Sequence, residues 1–516
     1  MLAGLALDAM AGAAALLDGF IKGRNAMVTI DTRLGQVKGI DRPGSMSFLG
    51  LPYAAPPVGE RRWLPPAPAA PWQGVFDATQ HPNRSFQLPF PQSLRRGDIP
   101  GAMSEDMLYL NIHTPAADSE RRPVQVYIHG GGFTVGSAND FDPTPFARKH
   151  DVVMVAINYR LGSFGFLDLS RFGPDYVGSG SLGFQDQIAA LRWVAENIAD
   201  YGGDPDNVTI SGVSAGAGSV IALMGAPSAK GLFHKAIAFS PGEIAPSAPD
   251  FITPFAAAFG MSEAGFFEHL RGLSSEDLFK LQSEGSMAAV TAVDGTVIVS
   301  PCHDAIRNRV NPVPLIIGAC IDEGTMLTPA VEEAGLEGLE QILAGIAVTI
   351  GAGDGDRYMH FLDTLIPGGS LRERMTRLWY DYFRSPTLRA ADACTTIGMP
   401  AWVYSFEVPT DHEYGPTHAS DMPFSFNLFD DEEVEEGMML AFHPNNDVNR
   451  KLMGLWTDCF ARFMRTGDPN GGDLPNWPIY AAETRPSMVL RDRAFVVENL
   501  DSEAALLAYG LGHARG

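Results

Sequence analysis

The sequence predicts an α/β fold, a central and mostly parallel sheet flanked by helices, and three observations carry that expectation. Val124 to Ile128 and Val152 to Ile157 are short runs of valine and isoleucine with little alternation, the pattern of strands buried on both faces. From Phe184 to Ala199, the apolar residues Ile188, Leu191, Val194 and Ile198 recur at spacings of three and four, which predicts an amphipathic helix. Further strand-like segments at Val208 to Ser211, Lys235 to Ser240 and Pro314 to Gly318 continue the alternation.

Outside that alternation the chain changes character twice. From Met27 to about Pro82 it is rich in turns, and the segment from Leu49 to Gly59 is too proline-dense for a helix or a central strand, so short hairpins and loops are expected there. From about Ser262 to Arg389 the patterning is mostly helical, which predicts an insertion of helices over the sheet. No repeat or low-complexity linker divides the chain, so residues 27–516 are expected to form a single domain preceded by an appendage, residues 1–26. That appendage opens with apolar residues but without a preceding lysine or arginine, and Asp8 and Asp18 interrupt it. Neither a signal peptide nor a membrane span is expected from it; an extra amphipathic helix, or sequence upstream of a start at Met27, remain the two readings.

Composition narrows the function. The 516 residues are 45% hydrophobic and 19% charged, an ordinary globular balance. Sixty-one acidic against thirty-seven basic residues give a formal charge of −24, which disfavours nucleic acid and anionic membrane surfaces as partners and points to small molecules. The acidic run from Asp430 to Glu436 is read as a solvated face. Cys302, Cys320, Cys394 and Cys459 show no metal-ligand spacing and are too few for a disulfide framework, so buried thiols in a reducing, cytoplasmic setting are expected, with no metal.

Two motifs carry chemistry. Gly212-Val-Ser-Ala-Gly216 lies between the strand ending at Ser211 and a small-residue stretch, Ala217 to Leu223, suited to open a helix. A serine on such a sharp turn is held in a strained conformation with its hydroxyl exposed, the arrangement of a nucleophile elbow. Tyr127-Ile-His-Gly-Gly-Gly-Phe133 follows a buried strand, and its glycines allow several backbone N–H groups to aim at one point. Gly131 and Gly132, with Ala215 after the serine, are the expected oxyanion donors, and His129 reads as a structural residue of that loop.

In these motifs the chain resembles the type-B carboxylesterase family, which includes cholinesterases and bacterial p-nitrobenzyl esterases. The resemblance extends through Phe48 to Gly59, Ser104-Glu-Asp-Met-Leu-Tyr-Leu-Asn111, Asn158 to Phe166, Tyr201 to Ile210, Pro227 to Ser240 and Phe463 to Asn470, covering roughly Met27 to Leu490. It implies the α/β-hydrolase fold, with helical insertions covering the active site. It also implies an acid at Glu323, in Ile321-Asp-Glu-Gly-Thr325, with Asp322 as competitor. Finally it implies a base at His418, in Thr417-His-Ala-Ser-Asp-Met-Pro-Phe424 after a candidate strand at Trp402 to Phe406, with His412 as rival. The chain order Ser214, Glu323, His418 agrees with that fold. Two structural ion pairs are implied as well, Arg62 with Glu105 and Arg160 with Asp186.

Three residues depart from the family pattern: Val213 stands where a glutamate precedes the nucleophile, Met107 where a cysteine is common, and Ala217 where many relatives have glycine. An apolar Val213 beside the nucleophile predicts a preference for neutral over choline-like esters, unless it only tunes packing at the elbow. Asp421 either replaces part of that charge or is a hydrogen-bonded buried acid. The expected activity is hydrolysis of small carboxylic esters through an acyl-enzyme, without a cofactor, by a monomer or homodimer. Cleavage of carbamates or activated amides by the same residues is the alternative, and a non-catalytic cholinesterase-like binding module a remote one.

Overall fold

A computed structural model describes residues 26–89, 95–96, 98–245, 247–248, 250–285, 291–328, 345–351, 353–429, 437–438 and 442–511. Residues 1–25 of the appendage and the acidic run from Asp430 to Glu436 lie outside these residues, and Ala26 opens the first strand. The strands are β1 (Ala26–Thr32), β2 (Gly35–Arg42), β3 (Ser45–Pro52), β4 (Val75–Asp77), β5 (Arg95–Arg96), β6 (Tyr109–Thr114), β7 (Arg122–Ile128) and β8 (Val153–Ile157). They continue with β9 (Gly203–Val213), β10 (Lys235–Phe239), β11 (Leu315–Cys320), β12 (Ala401–Phe406), β13 (Gly437–Met438), β14 (Ser487–Leu490) and β15 (Ala494–Val497). One large sheet runs β1-β2-β3-β6-β8-β7-β9-β10-β11-β12-β14-β15, with β4 beside β2. From β8 to β14 every pairing is parallel, and antiparallel strands close both edges.

The apolar runs have a simple physical reason. Val124, Val126 and Ile128 face one apolar core together with Val153, Val155 and Ile157, while Tyr127, Met154 and Ala156 face a second core on the other side of the sheet. Side chains alternate, but both faces are dry, so the sequence shows no polar alternation. The helices include α1 (Leu182–Asn197), α2 (Ala215–Gly225), α3 (Glu263–Gly272), α4 (Ser275–Gly285), α5 (Cys302–Arg307), α6 (Leu371–Thr396) and α7 (Asp447–Thr466), of which α1, α2, α5, α6 and α7 dry the two faces. Leu191 of α1, Val220 of α2, Ile306 of α5 and Leu388 of α6 join the first core; Trp456, Phe460 and Phe463 of α7 join the second. Side-chain caps set the starts of the two longest described helices: Ser370 and Glu373 form a reciprocal capping box on α6, and Asn446 caps α7.

The region 262–389, expected as one helical insertion, is not a single block. It contains β11, a fully buried central strand between β10 and β12. The helices around it divide: α3 and α4 pack in a separate apolar cluster with Trp63, Phe86 and Phe164, whereas α5 and α6 pack against α2, β11 and β12 as layers of the α/β body. Helical periodicity is the same for a covering helix and an inserted one, so the pattern could not separate them.

Candidate active site

The parallel register brings five strand ends side by side. Ile128 of β7 is opposite Gly212 of β9, Val213 is opposite Phe239 of β10, Phe239 is opposite Gly318 of β11, and Cys320 is opposite Phe406 of β12. The segments leaving the carboxyl ends of these strands carry, in the same order, Gly130 to Gly132, Ser214, Ser240, Glu323 and His418. Ligand sites of open α/β sheets form at such edges.

Ser214 stands between β9 and α2 with φ 58° and ψ −124°, a conformation rarely adopted by an L-residue and costing about 1–3 kcal/mol. Its neighbours impose it. A methyl group on Gly216 would lie 2.1 Å from the Ile128 carbonyl oxygen, and one on Gly212 would lie 2.4 Å from the Gly216 carbonyl carbon. The turn is that tight because helix, strand and the preceding loop converge on it. Gly130 is also close: a methyl there would be 2.7 Å from the Val213 carbonyl oxygen and 3.1 Å from Ser214 Cβ. Ser214 is half-buried, and its hydroxyl has no hydrogen-bond partner among the described residues.

Gly131 and Gly132 take φ values of 101° and 60°, and Gly132 is exposed. Among the described residues the amides of Gly131, Gly132 and Ala215 donate to no other group, while the Gly131 carbonyl accepts from Thr134 and Val135. His129 is buried, stacks on Tyr159 at 4.4 Å, and donates from Nδ1 to the Gly130 carbonyl at 2.9 Å. Burial holds its ring down at about 4, so it is a neutral strut of the loop.

Glu323 is fully buried and held by three donors. Its Oε1 accepts from the Cys320 amide at 2.7 Å and from the Ser240 hydroxyl, and its Oε2 accepts from His418 Nδ1–H. His418 is also stacked on Phe383 of α6, with ring centroids 4.1 Å apart, and its Nε2 is buried without a partner among the described residues. The structure therefore brings Glu323 and His418 together and leaves the serine hydroxyl and the imidazole Nε2 both unengaged. Asp322 turns elsewhere: its amide donates to the Pro416 carbonyl at 3.2 Å, and burial and Glu407 push its carboxyl up. His412 stacks on Phe442 at 4.0 Å, away from either carboxylate.

Sequence reasoning missed Ser240 and Phe383. Ser240 has φ 52°, a strained turn directly after β10 that aims its hydroxyl at Glu323; a single serine at a strand end gives no sequence signal for that. Of the two readings of Val213, the packing one fits the structure. It is 1% exposed and packs in the second core with Phe239 and Tyr127, so packing accounts for it. Met107 is likewise buried in the first core. Both implied ion pairs are present: Arg62 meets Glu105 at 2.6 Å and also donates to the Leu273 carbonyl after α3 at 2.8 Å, and Arg160 meets Asp186 at 2.7 Å.

A model of the carboxylesterase family matches residues 26–349 and 356–505. The chain belongs to that family. This carboxylesterase is 35% identical over 490 residues to the para-nitrobenzyl esterase of Bacillus subtilis, across 91% of this chain and 96% of that protein. It is 33% identical to the human cocaine esterase over 497 residues, across 87% of this chain and 84% of that one. The solved carboxylesterase of Geobacillus stearothermophilus superposes with a TM-score of 0.78 at 35% identity, covering 92% of this chain and 98% of that one. A solved thermophilic p-nitrobenzyl esterase reaches 0.82 at 31% identity, covering 93% and 99%. The carboxylesterase thus has the α/β-hydrolase fold and is a carboxylic ester hydrolase. No described helix is long and apolar enough to cross a membrane, and no described group of histidine, cysteine and acidic residues could hold a metal ion.

Proposed function

We propose that this carboxylesterase hydrolyses small carboxylic esters through a Ser214–His418–Glu323 triad and an acyl-enzyme. The observation that carries the reading is the Glu323–His418 bond at Nδ1, which fixes the tautomer whose free Nε2 can take a proton. Ser214 Oγ attacks the ester carbonyl carbon, its proton passes to Nε2, and the amides of Gly131, Gly132 and Ala215 receive the developing oxyanion. The imidazolium then protonates the departing alcohol. Water, deprotonated by the same Nε2, attacks the acyl carbonyl and releases the acid and the serine. Apo geometry without a Ser214–His418 hydrogen bond is compatible with this, because catalytic contacts often tighten only on substrate binding.

Four buried unpaired cysteines support the accompanying proposal of a reducing, cytoplasmic compartment. Carbamates and activated amides present the same carbonyl to the same groups, and ester hydrolysis is favoured by the family assignment.

The test is Ser214→Ala. Turnover of a p-nitrophenyl ester should fall by on the order of 10⁴-fold or more with the melting temperature preserved. A folded variant that retains more than about a hundredth of the activity would remove Ser214 from the mechanism.

A further inference from the structure

The strand register that places Glu323 does not by itself place His418. Pairing of β11 with β12 ends at Cys320 and Phe406, and the chain then leaves the sheet through Glu407 to Pro416 before the base arrives. A stitch between the two segments brings it back. Asp322 and Thr417 form a parallel bridge beyond the strands, next to the bond from the Asp322 amide to the Pro416 carbonyl. Two threonine hydroxyls complete it. Thr325 Oγ1 lies 2.6 Å from the Tyr414 carbonyl oxygen, 2.8 Å from that of Asp322 and 3.0 Å from Thr417 Oγ1. Its single proton goes to a carbonyl, so the hydrogen between the two hydroxyls is that of Thr417, whose oxygen accepts in turn from the Met326 amide at 3.3 Å. Thr417 is fully buried, where valine would fit by shape but would leave the Met326 amide and Thr325 without that partner.

We propose that the Thr417 hydroxyl is a positioning group for the base: joined to Thr325 and Met326 on the segment of the acid, it sets where the His418 ring stands against Glu323. This rests on the Ser214–His418–Glu323 reading. The chain connections are short, since Thr417 directly precedes His418 and only Gly324 separates Thr325 from Glu323. Phe383 cannot do the same alone, because a stacked face fixes the plane of the ring and leaves it free to slide within that plane. Sliding lengthens the Nδ1–H bond to the carboxylate and carries Nε2 away from Ser214, and a displacement of about 1 Å costs on the order of 10²-fold in rate.

A displaced ring has a kinetic signature that a packing role lacks. The same base serves acylation and deacylation, so both steps slow together, and KM, which depends on their ratio, should stay within about threefold while kcat falls. Thr417→Val should lower kcat by about 10–100-fold, less than loss of the acid itself. Thr417→Ser, which keeps the hydroxyl and drops the methyl, should return kcat to within about threefold of the parent. Thr325→Val breaks the stitch from the other side. The double variant should lose little more than Thr417→Val alone, because both changes remove one linkage.

The experiment measures kcat and KM for a p-nitrophenyl ester, with thermal melting, for the parent, Thr417→Val, Thr417→Ser, Thr325→Val, the double variant and Ser214→Ala. A fall in kcat at steady KM, rescued by serine and non-additive in the double variant, is the expected result. A folded Thr417→Val that melts lower but keeps kcat within about threefold of the parent would overturn the role of the hydroxyl. A Thr417→Ser as slow as Thr417→Val, or losses that multiply in the double variant, would overturn it too. If Thr417→Val does not fold, the kcat and KM of Thr325→Val decide alone. Activity in Ser214→Ala would instead strike the triad reading, so the two failures are distinguishable.

Discussion

Glu323 has its two oxygens filled by Cys320 N–H, the Ser240 hydroxyl and His418 Nδ1–H, and this sets what substitution at each neighbouring acid does. In Glu323→Gln the amide can donate as well as accept, which no longer enforces the tautomer with Nε2 free. The loss in kcat should be on the order of 10³–10⁴-fold, whereas Asp322→Asn should stay within about tenfold. Steady-state kinetics on both variants checks the ranking, and the reverse order would move the orienting acid to Asp322. The resemblance was needed to select Glu323 among sixty-one acids; two of its donors, Ser240 and His418, were illegible because they reach it from the ends of neighbouring strands, and only the Cys320 amide is local. Val213 belongs to the same scale. Since it is buried among aromatic side chains, Val213→Glu should destabilise the fold by about 2 kcal/mol or more, an unpaired polar group in an apolar site. Melting should show that loss, and a stable variant that favours cationic over neutral thioesters would restore a specificity role.

At the scale of elements, the elbow joins β9 to α2 against the end of β7, and its contacts are backbone on backbone. Gly216→Ala places a methyl 2.1 Å from the Ile128 carbonyl oxygen, where no flexible side chain can yield. The loop carrying Gly131 and Gly132 must then part from the serine. Stability should fall by about 1–3 kcal/mol and kcat with it, while KM changes less, because the donors act on the transition state more than on bound ester. Unchanged kinetics and melting would mean that the elbow is looser than the structure has it. The elements themselves were largely legible. Each expected strand from Val124 to Gly318 is present within a few residues, since strands buried on both faces leave uninterrupted apolar runs. The elbow strand is the largest difference: Gly203–Val213 begins five residues before Val208, because its polar start, Asp204 to Asn207, carries no apolar signal. The helical stretch from Ser262 to Arg389 is interrupted by β11, the strand expected at Pro314 to Gly318.

At the scale of the whole molecule, thirteen strands form one sheet among the described residues, and the groups expected to act lie along one edge of it. Ile128, Val213, Phe239, Cys320 and Phe406 end five adjacent strands, so residues as far apart in sequence as Gly130 and His418 lie along one edge of the sheet. The motifs around Ser214 and Gly130 to Gly132 were readable because each sits on one turn. The pairing of Glu323 with His418 was not readable from residues alone, because it depends on which strands become neighbours. The central claim is that ester hydrolysis passes through a covalent acyl group on Ser214, and trapping that group tests it most directly. Rapid mixing with a p-nitrophenyl ester, acid quenching and peptide mass analysis should find the acyl mass on the Ser214 peptide, with a nitrophenol burst of about one per active chain. An active enzyme that yields no adduct, or an adduct on another residue, would contradict the account.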